Sequence, residues 1–192
     1  FGIVIPLLPI YSKAYGASGF TCSLLFACFS GMQFLFAPMW GRLSDRIGRR
    51  PVLIGGLLGT SVSYVLFGFA DEIAAWLLRL WGEGAPALDV TTLAVLFSTR
   101  MLAGFFGANV STAAAFMADV TTEANRAKGM GLIGAAFGLG FMFGPWFGGE
   151  LSTHSIHYPG VVAALLSLSA AVFGYFTLVE PEREKRTHSR VY

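Results

Sequence analysis

The densest chemistry in this sequence lies at residues 41–50, where Arg42, Arg46, Arg49, Arg50 and Asp45 stand between two long apolar runs. One charge at the centre of a bilayer costs about 2.5 to 3.5 kcal/mol even on lenient insertion scales, so this cluster reads as a tight turn at a membrane surface. Its chemistry is ion pairing. Arg100 is a second candidate, alone inside an apolar run; it either snorkels to the surface or serves a cavity or coupling network. Gln33 is a third, an amide in mid-membrane that must find a partner, through an interhelical hydrogen bond or a substrate cavity. His154 and His157 could hold a metal, but two loop histidines with one Glu nearby read as solvent-exposed. Cys22 and Cys28 turn to different faces of a helix, which suggests neither a disulfide nor a metal site. No nucleophile, base and orienting group converge at readable spacing, which argues against an enzyme.

The composition says what kind of elements must hold these groups. Of 192 residues 55% are hydrophobic and 12% charged, against about 25% charged in soluble domains. The 24 glycines and 18 phenylalanines fit closely packed transmembrane helices, in which small residues let backbones approach. The expected fold is an all-α membrane protein, and a net charge of +2 gives no argument for nucleic acid. Six spans follow, at about 1–15, 20–40, 52–70, 93–117, 130–149 and 161–179. Residues 1–10 rise only about 15 Å at 1.5 Å each, so the first helix reads as truncated. In the fourth span Gly104, Gly107, Ser111 and Ala115 continue the face of Arg100 along one unbroken helix. In the fifth, Gly140, Gly144 and Gly148 recur every fourth residue and cut a groove, with Gly149 beside it and Pro145 as a kink.

Between the third and fourth spans, Ile73, Trp76, Leu77, Leu80 and Trp81 form one stripe, predicting an interfacial amphipathic helix over about 72–82. A second polar turn, 118–129, carries Asp119, Glu123, Arg126 and Lys128, and the charged stretch from Glu180 through 181–192 reads as a flexible linker. With the 41–51 turn cytoplasmic, the second turn and the tail lie on the same side. Arg42, Arg46, Arg49, Arg50, Arg126, Lys128, Arg183, Lys185, Arg186 and Arg190 are then inside, and only Lys13 and Arg79 outside. Pro38-Met39-Trp40-Gly41 is echoed by Pro145-Trp146-Phe147-Gly148, each ending the second helix of a three-helix set, as an inverted 3+3 repeat would have it.

Gly41-x-Leu43-Ser44-Asp45-Arg46-x-Gly48-Arg49-Arg50 resembles the signature loop between the second and third helices of the major facilitator superfamily. Arg100-x-x-x-Gly104-x-x-Gly107 is similar to the family's fourth-helix motif, and Gly140-x-x-x-Gly144-Pro145-x-x-Gly148-Gly149 to the fifth-helix motif of its antiporters. Ile5-Pro6-Leu7-Leu8-Pro9, Gln33-Phe34-x-x-Ala37-Pro38, Arg49-Arg50-Pro51-Val52, and Ala118-Asp119-Val120-Thr121 running to Arg126-Ala127 narrow the likeness to drug:proton antiporters of the tetracycline-efflux type. Only the stretch 71–89 is longer than that pattern leads one to expect.

The resemblance implies the N-terminal half of a transporter, a six-transmembrane-helix bundle of two inverted three-helix repeats. It would pair with a C-terminal six-helix bundle absent here and export a small amphipathic organic molecule by alternating access. No cofactor is implied; a proton gradient would supply the energy, and the partners would be the substrate, the bilayer and the second bundle. In the gating loop of Gly41, Asp45, Arg46, Gly48, Arg49 and Arg50, Asp45 would meet a helix N-terminus in that second bundle. It would then have no partner within this chain, whereas Arg49 would pair with Asp119. Arg100 would lie near the proton-coupling region, with Gln33 and Asn109 as cavity groups, and the glycine groove would let the bundles close. A proton-coupled exchanger needs an ionisable group in mid-membrane, yet no Asp or Glu falls there in this chain; the family's acid often precedes the point where it begins. An uptake symporter for a metabolite, or a membrane sensor or assembly protein that does not transport, would share the fold.

Overall fold

The computed structural model describes residues 2–82 and 84–180. Every regular element among them is helical: a 3₁₀ turn at Gly2–Val4, then α1 (Leu7–Ala14), α2 (Gly19–Ile47), α3 (Arg49–Gly68), α4 (Ala70–Trp81), α5 (Leu88–Gly107), α6 (Val110–Val120), α7 (Glu123–His154) and α8 (Tyr158–Thr177). Five stretches are long and apolar enough to cross a membrane: α2, α3, α5 continued by α6, α7 and α8. The 3₁₀ turn with α1 adds a shorter apolar segment at the N-terminal end. The expected tail at 181–192 lies outside the described residues.

The polar turns are mostly helix. α2 runs on through Gly41, Asp45 and Arg46 to Ile47, and Gly48 alone separates it from α3. Charge and glycine cost a helical backbone little once it has left hydrocarbon, so composition marks where the apolar layer ends and not where the helix ends. The break falls at Gly48, whose φ of +116° is open to glycine and strained for other residues. The turn expected at 118–129 shrinks likewise to Thr121 and Thr122 between α6 and α7. Pro38 and Pro145 both lie inside their helices, each nine residues before the last residue, Ile47 and His154, so the repeated motif ends neither of them.

The fourth span departs in the other direction. Expected as one helix, it is interrupted at Ala108 and Asn109, whose ψ angles lie near zero. Ala115 and Ser111 therefore do not continue the Arg100 face along an unbroken helix.

Packing follows a two-fold plan. α3 packs most closely along α8, followed by α2 and α3 along α5 and by the first segment along α7. Mapping the first three spans onto the last three carries the first segment to α5, α2 to α7 and α3 to α8. The α2–α5 contact then becomes the contact of α7 with the first segment, and α3–α8 maps onto itself, which is the pattern of a 3+3 inverted repeat. The main core gathers Leu7, Tyr11, Leu25, Phe29, Phe67 and Leu96, and a smaller cluster around Trp40, Val52 and Ala108 closes the Gly48 end. Outward-facing Phe34, Leu132, Met142, Trp146 and Phe176 give the bundle an apolar exterior, the arrangement of an integral membrane protein. α4 packs on α5, burying Ala70 and Ala74 while Trp76, Leu80 and Trp81 stay exposed.

Candidate functional site

At the Gly48 end one guanidinium organises the polar groups. Arg49 Nη1 lies 2.7 Å from Asp45 Oδ1 and donates to Ser44 Oγ at 2.6 Å, while its Nε donates to Asp119 Oδ2 at 3.0 Å. Buried Ser44 in turn donates to the Gly41 carbonyl at 2.7 Å. Asp45, expected to lack a partner within the chain, is thus held by the arginine one turn along. The two carboxylates are 63% and 43% exposed, so each pair contributes about 0 to 1 kcal/mol and sets geometry more than stability. Arg46 faces outward on the last turn of α2, and Gly41 has open space where a side chain would stand.

Sequence reasoning missed Glu180, which it assigned to the linker. Its carboxylate accepts the backbone N–H groups of Arg49 at 2.6 Å and Arg50 at 2.9 Å, capping α3 across the bundle. A Cβ on Gly48 would come within 2.7 Å of that carboxylate and displace it, so a side chain there would disturb the cap as well as strain φ. Arg50 donates to the Tyr175 carbonyl and stands 5.3 Å from the centre of the Tyr175 ring. A signal for this cap was present: the first turn of α3 contains no acid and Gly48 offers no side chain, so its amides need an outside acceptor. Glu180 is the first acid after the sixth apolar run.

Deeper in the bundle, the α5–α6 break collects the amides. With Asn109 N–H turned to the Phe106 carbonyl, the Phe105 carbonyl receives Trp40 Nε1–H at 2.7 Å, and Gln33 Nε2 donates to the Gly107 carbonyl at 3.0 Å. Gln33 therefore makes an interhelical hydrogen bond. Asn109 is buried beside Gly56, with its amide 3.4 Å from the Leu53 carbonyl. Gln33 and Trp40 of α2 thus re-satisfy the break in a setting without water, the Gly107 carbonyl through Gln33 and the Phe105 carbonyl through Trp40 beside a 3.4 Å bond from the Ala108 N–H.

Arg100 does not snorkel: it is 1% exposed, 4.3 Å from the centre of the Phe67 ring and 5.6 Å from that of Tyr64. Its Nε and Nη2 are buried without a hydrogen-bond partner. No hydrogen bond joins it to Gln33 or Asn109 among the described residues, so these three do not form one polar cluster.

The glycine groove on α7 is filled from inside the bundle. Side chains built on Gly144 and Gly148 would strike the backbone of Gly2 and Ile3, the former at 2.6 Å, and the Gly140 carbonyl crowds Gly2. Gly149 and the Cβ side of Gly140 are open, and Pro145 is half-buried between them. The occupant at Gly144 and Gly148 is this chain's own first segment. Gly144 and Gly148 thus meet a backbone at a distance only glycine permits.

Comparison with known proteins places these features in a family. The sequence profile of the Major Facilitator Superfamily matches residues 1–191. The chain is 36% identical over 188 residues to the class C tetracycline resistance protein of Escherichia coli, covering 96% of this chain and 42% of that protein. It is 37% identical over 170 residues to the class B tetracycline resistance protein of Escherichia coli, covering 87% of this chain and 37% of that protein. Multidrug resistance protein 1 of Bacillus subtilis (strain 168) is 36% identical over 183 residues, with 95% and 42% covered. The chain thus spans about two fifths of the length of these relatives.

Proposed function

The chain belongs to the major facilitator superfamily, and from that premise we propose that it forms part of a secondary transporter that exports a small amphipathic organic molecule in exchange for protons. The observation that carries the proposal is the Arg49 junction. One guanidinium gathers Asp45 of α2 and Asp119 of α6, so the connection from the second span to the third is tied to the connection from the fourth to the fifth. Such a knot at one end of a bundle is suited to a gate: it opens or closes as a unit when another body docks on it. That body is a second six-helix bundle, and the Gly48 end faces the cytoplasm with the positive charges counted above.

Two further features support alternating access. α2 and α7, equivalent under the internal two-fold, are the least buried spans and are free to meet the second bundle. Arg100 keeps a cation with unpartnered N–H groups inside the bundle, as a coupling network for protons requires. The resistance proteins among the relatives favour export over uptake of a metabolite, and favour a transporter over a sensor.

Charge reversal tests the gate. Arg49→Asp and Asp119→Arg should each lower drug export about tenfold or more, and the double variant should recover most of it, as a double-mutant cycle requires of a direct pair. A double variant no better than either single one would remove the Arg49 junction from the mechanism.

A further inference from the structure

The end of the bundle opposite Gly48, about 30 Å away along the twenty residues of α3, is packed unevenly. On the α8 side it is tight. His157, which the sequence reads as an exposed loop histidine, is half-buried at the start of α8, its ring stacked on Phe69 and its Nδ1 2.6 Å from the Gly68 carbonyl. A Cβ on Gly160 would come within 2.6 Å of Gly68 Cα. On the α5 side, α4 leaves a groove of about 670 Å³, within the roughly 300 to 1,000 Å³ of small-molecule sites. Ile73, Leu77 and Trp81 of α4 form one wall and Leu66 of α3 lies at the end nearer Gly48. α5 supplies the floor from Val90 to Leu102, about 18 Å at 1.5 Å per residue.

The hydroxyls that line this groove are already committed to their own helix. Thr91 donates to the Ala87 carbonyl at 3.2 Å, Ser98 to that of Ala94 at 2.8 Å and Thr99 to that of Leu96 at 2.9 Å. A water held there would lack the about two to four polar partners it needs, and a sugar or an amino acid would find no donor along the floor. The one lining donor without a hydrogen bond among the described residues is the indole N–H of Trp81. Trp81 ends α4, and residues 82–87 join it to the start of α5, so it stands at the outer mouth, 69% exposed. An amphipathic ring in that place suits the boundary between hydrocarbon and headgroups.

Val62 and Val65 of α3, Trp76 and Leu80 of α4 and Met101 of α5 are exposed beside the lining residues, so the groove is continuous with the apolar exterior that a bilayer covers. α2 packs on the other side of α5, against Gly104 and Gly107. We propose that the groove seats one acyl chain of a phospholipid from the leaflet opposite the Gly48 end, with the ester carbonyl at Trp81 and the methyl end near Leu66 and Leu102. Length supports the match: the hydrocarbon of one leaflet is about 15 Å deep, half of about 30 Å, and the floor runs about 18 Å. An acyl chain carries neither donor nor charge, and its ester can only accept, which is what a single free donor at the mouth calls for. α4 packs chiefly on α5, and the chain fills the space left between them, restoring dispersion contacts that an empty groove forfeits. The stretch 71–89, which the transporter pattern leaves without a role, thereby becomes a lipid holder. This rests on the bilayer-embedded fold and not on export, so a loss of one reading leaves the other standing.

Photolabelling of the whole protein that contains this chain, in phosphatidylcholine nanodiscs, tests the proposal with two probes: phosphatidylcholine carrying a diazirine near the methyl end of one acyl chain, and phosphatidylcholine carrying it near the ester. The first should label Leu66 and Leu102 about fivefold more than Leu165 and Leu166, which are exposed on α8 in the same half of the bundle. The second should label Trp81 and Pro86 instead. Ser98→Phe puts a ring into the groove and should bring Leu66 and Leu102 down to the level of the α8 leucines. Should that variant misfold, Ala94→Phe, one turn outward on the same floor, should do the same. Equal labelling of the two pairs of leucines in the unaltered protein, the same residues labelled by both probes, or a preference that survives in either folded variant overturns the proposal.

Discussion

Gln33, Trp40 and Glu180 act through the same chemistry: each satisfies backbone groups that a helix end or break has released. Gln33→Leu should cost about 1 kcal/mol, within the range for hydrogen bonds in membrane proteins, measured as lowered thermal stability in detergent. Glu180→Ala should cost about 1 kcal/mol, as a lost cap does, with faster hydrogen exchange at Arg49 and Arg50 and no effect at Gln33. Wild-type protection at those two amides in Glu180→Ala would show that water replaces the carboxylate without loss. At this scale the sequence was partly legible. Gln33 declares its need for a partner by being an amide in an apolar run, but its acceptor is a carbonyl freed by a helix break. Such breaks leave no mark in composition. Glu180 was hidden because a charged residue after the last span looks like any other residue of a linker.

At the scale of elements, the decisive contact is the first segment lying in the glycine groove of α7. Gly144→Val would place a branched side chain where the Gly2 backbone lies 2.6 Å from the first added carbon, an overpacking of about 1 to 3 kcal/mol that α7 relieves only by moving away. Membrane insertion should persist while drug export is lost. Gly140→Ala, whose Cβ points into open space, should change stability by no more than about 0.5 kcal/mol. Equal tolerance of the two substitutions, measured by thermal unfolding and export together, would refute the close-packed groove. The spacing of Gly140, Gly144 and Gly148 made the groove legible, yet not its occupant, because spacing fixes a face and not what packs there. Helix ends were harder still. Hydropathy located the apolar layer, whereas α2 and α7 continue well beyond it until a residue such as Gly48 permits the chain to turn.

For the whole molecule, the two-fold relation between spans one to three and four to six accounts for the contacts of α3 with α8, α2 with α5 and the first segment with α7, the matching positions of Pro38 and Pro145, and the exposure of both α2 and α7, although α3 packs far more closely on α5 than α8 does on the first segment. The short repeat around those prolines foreshadowed it. Membership of the superfamily was legible in the motif at 41–50, whose charges and glycines stand within ten residues and need no knowledge of the fold to be read. The direction of transport and its coupling belong to the whole assembly and are settled by flux. On the proposed function, inverted membrane vesicles carrying the whole transporter that contains this chain should accumulate a small amphipathic dye when their interior is acidic, and a protonophore should abolish the accumulation. Accumulation that persists after the gradient is collapsed, or dye leaving the vesicles under the same gradient, would contradict proton-driven export.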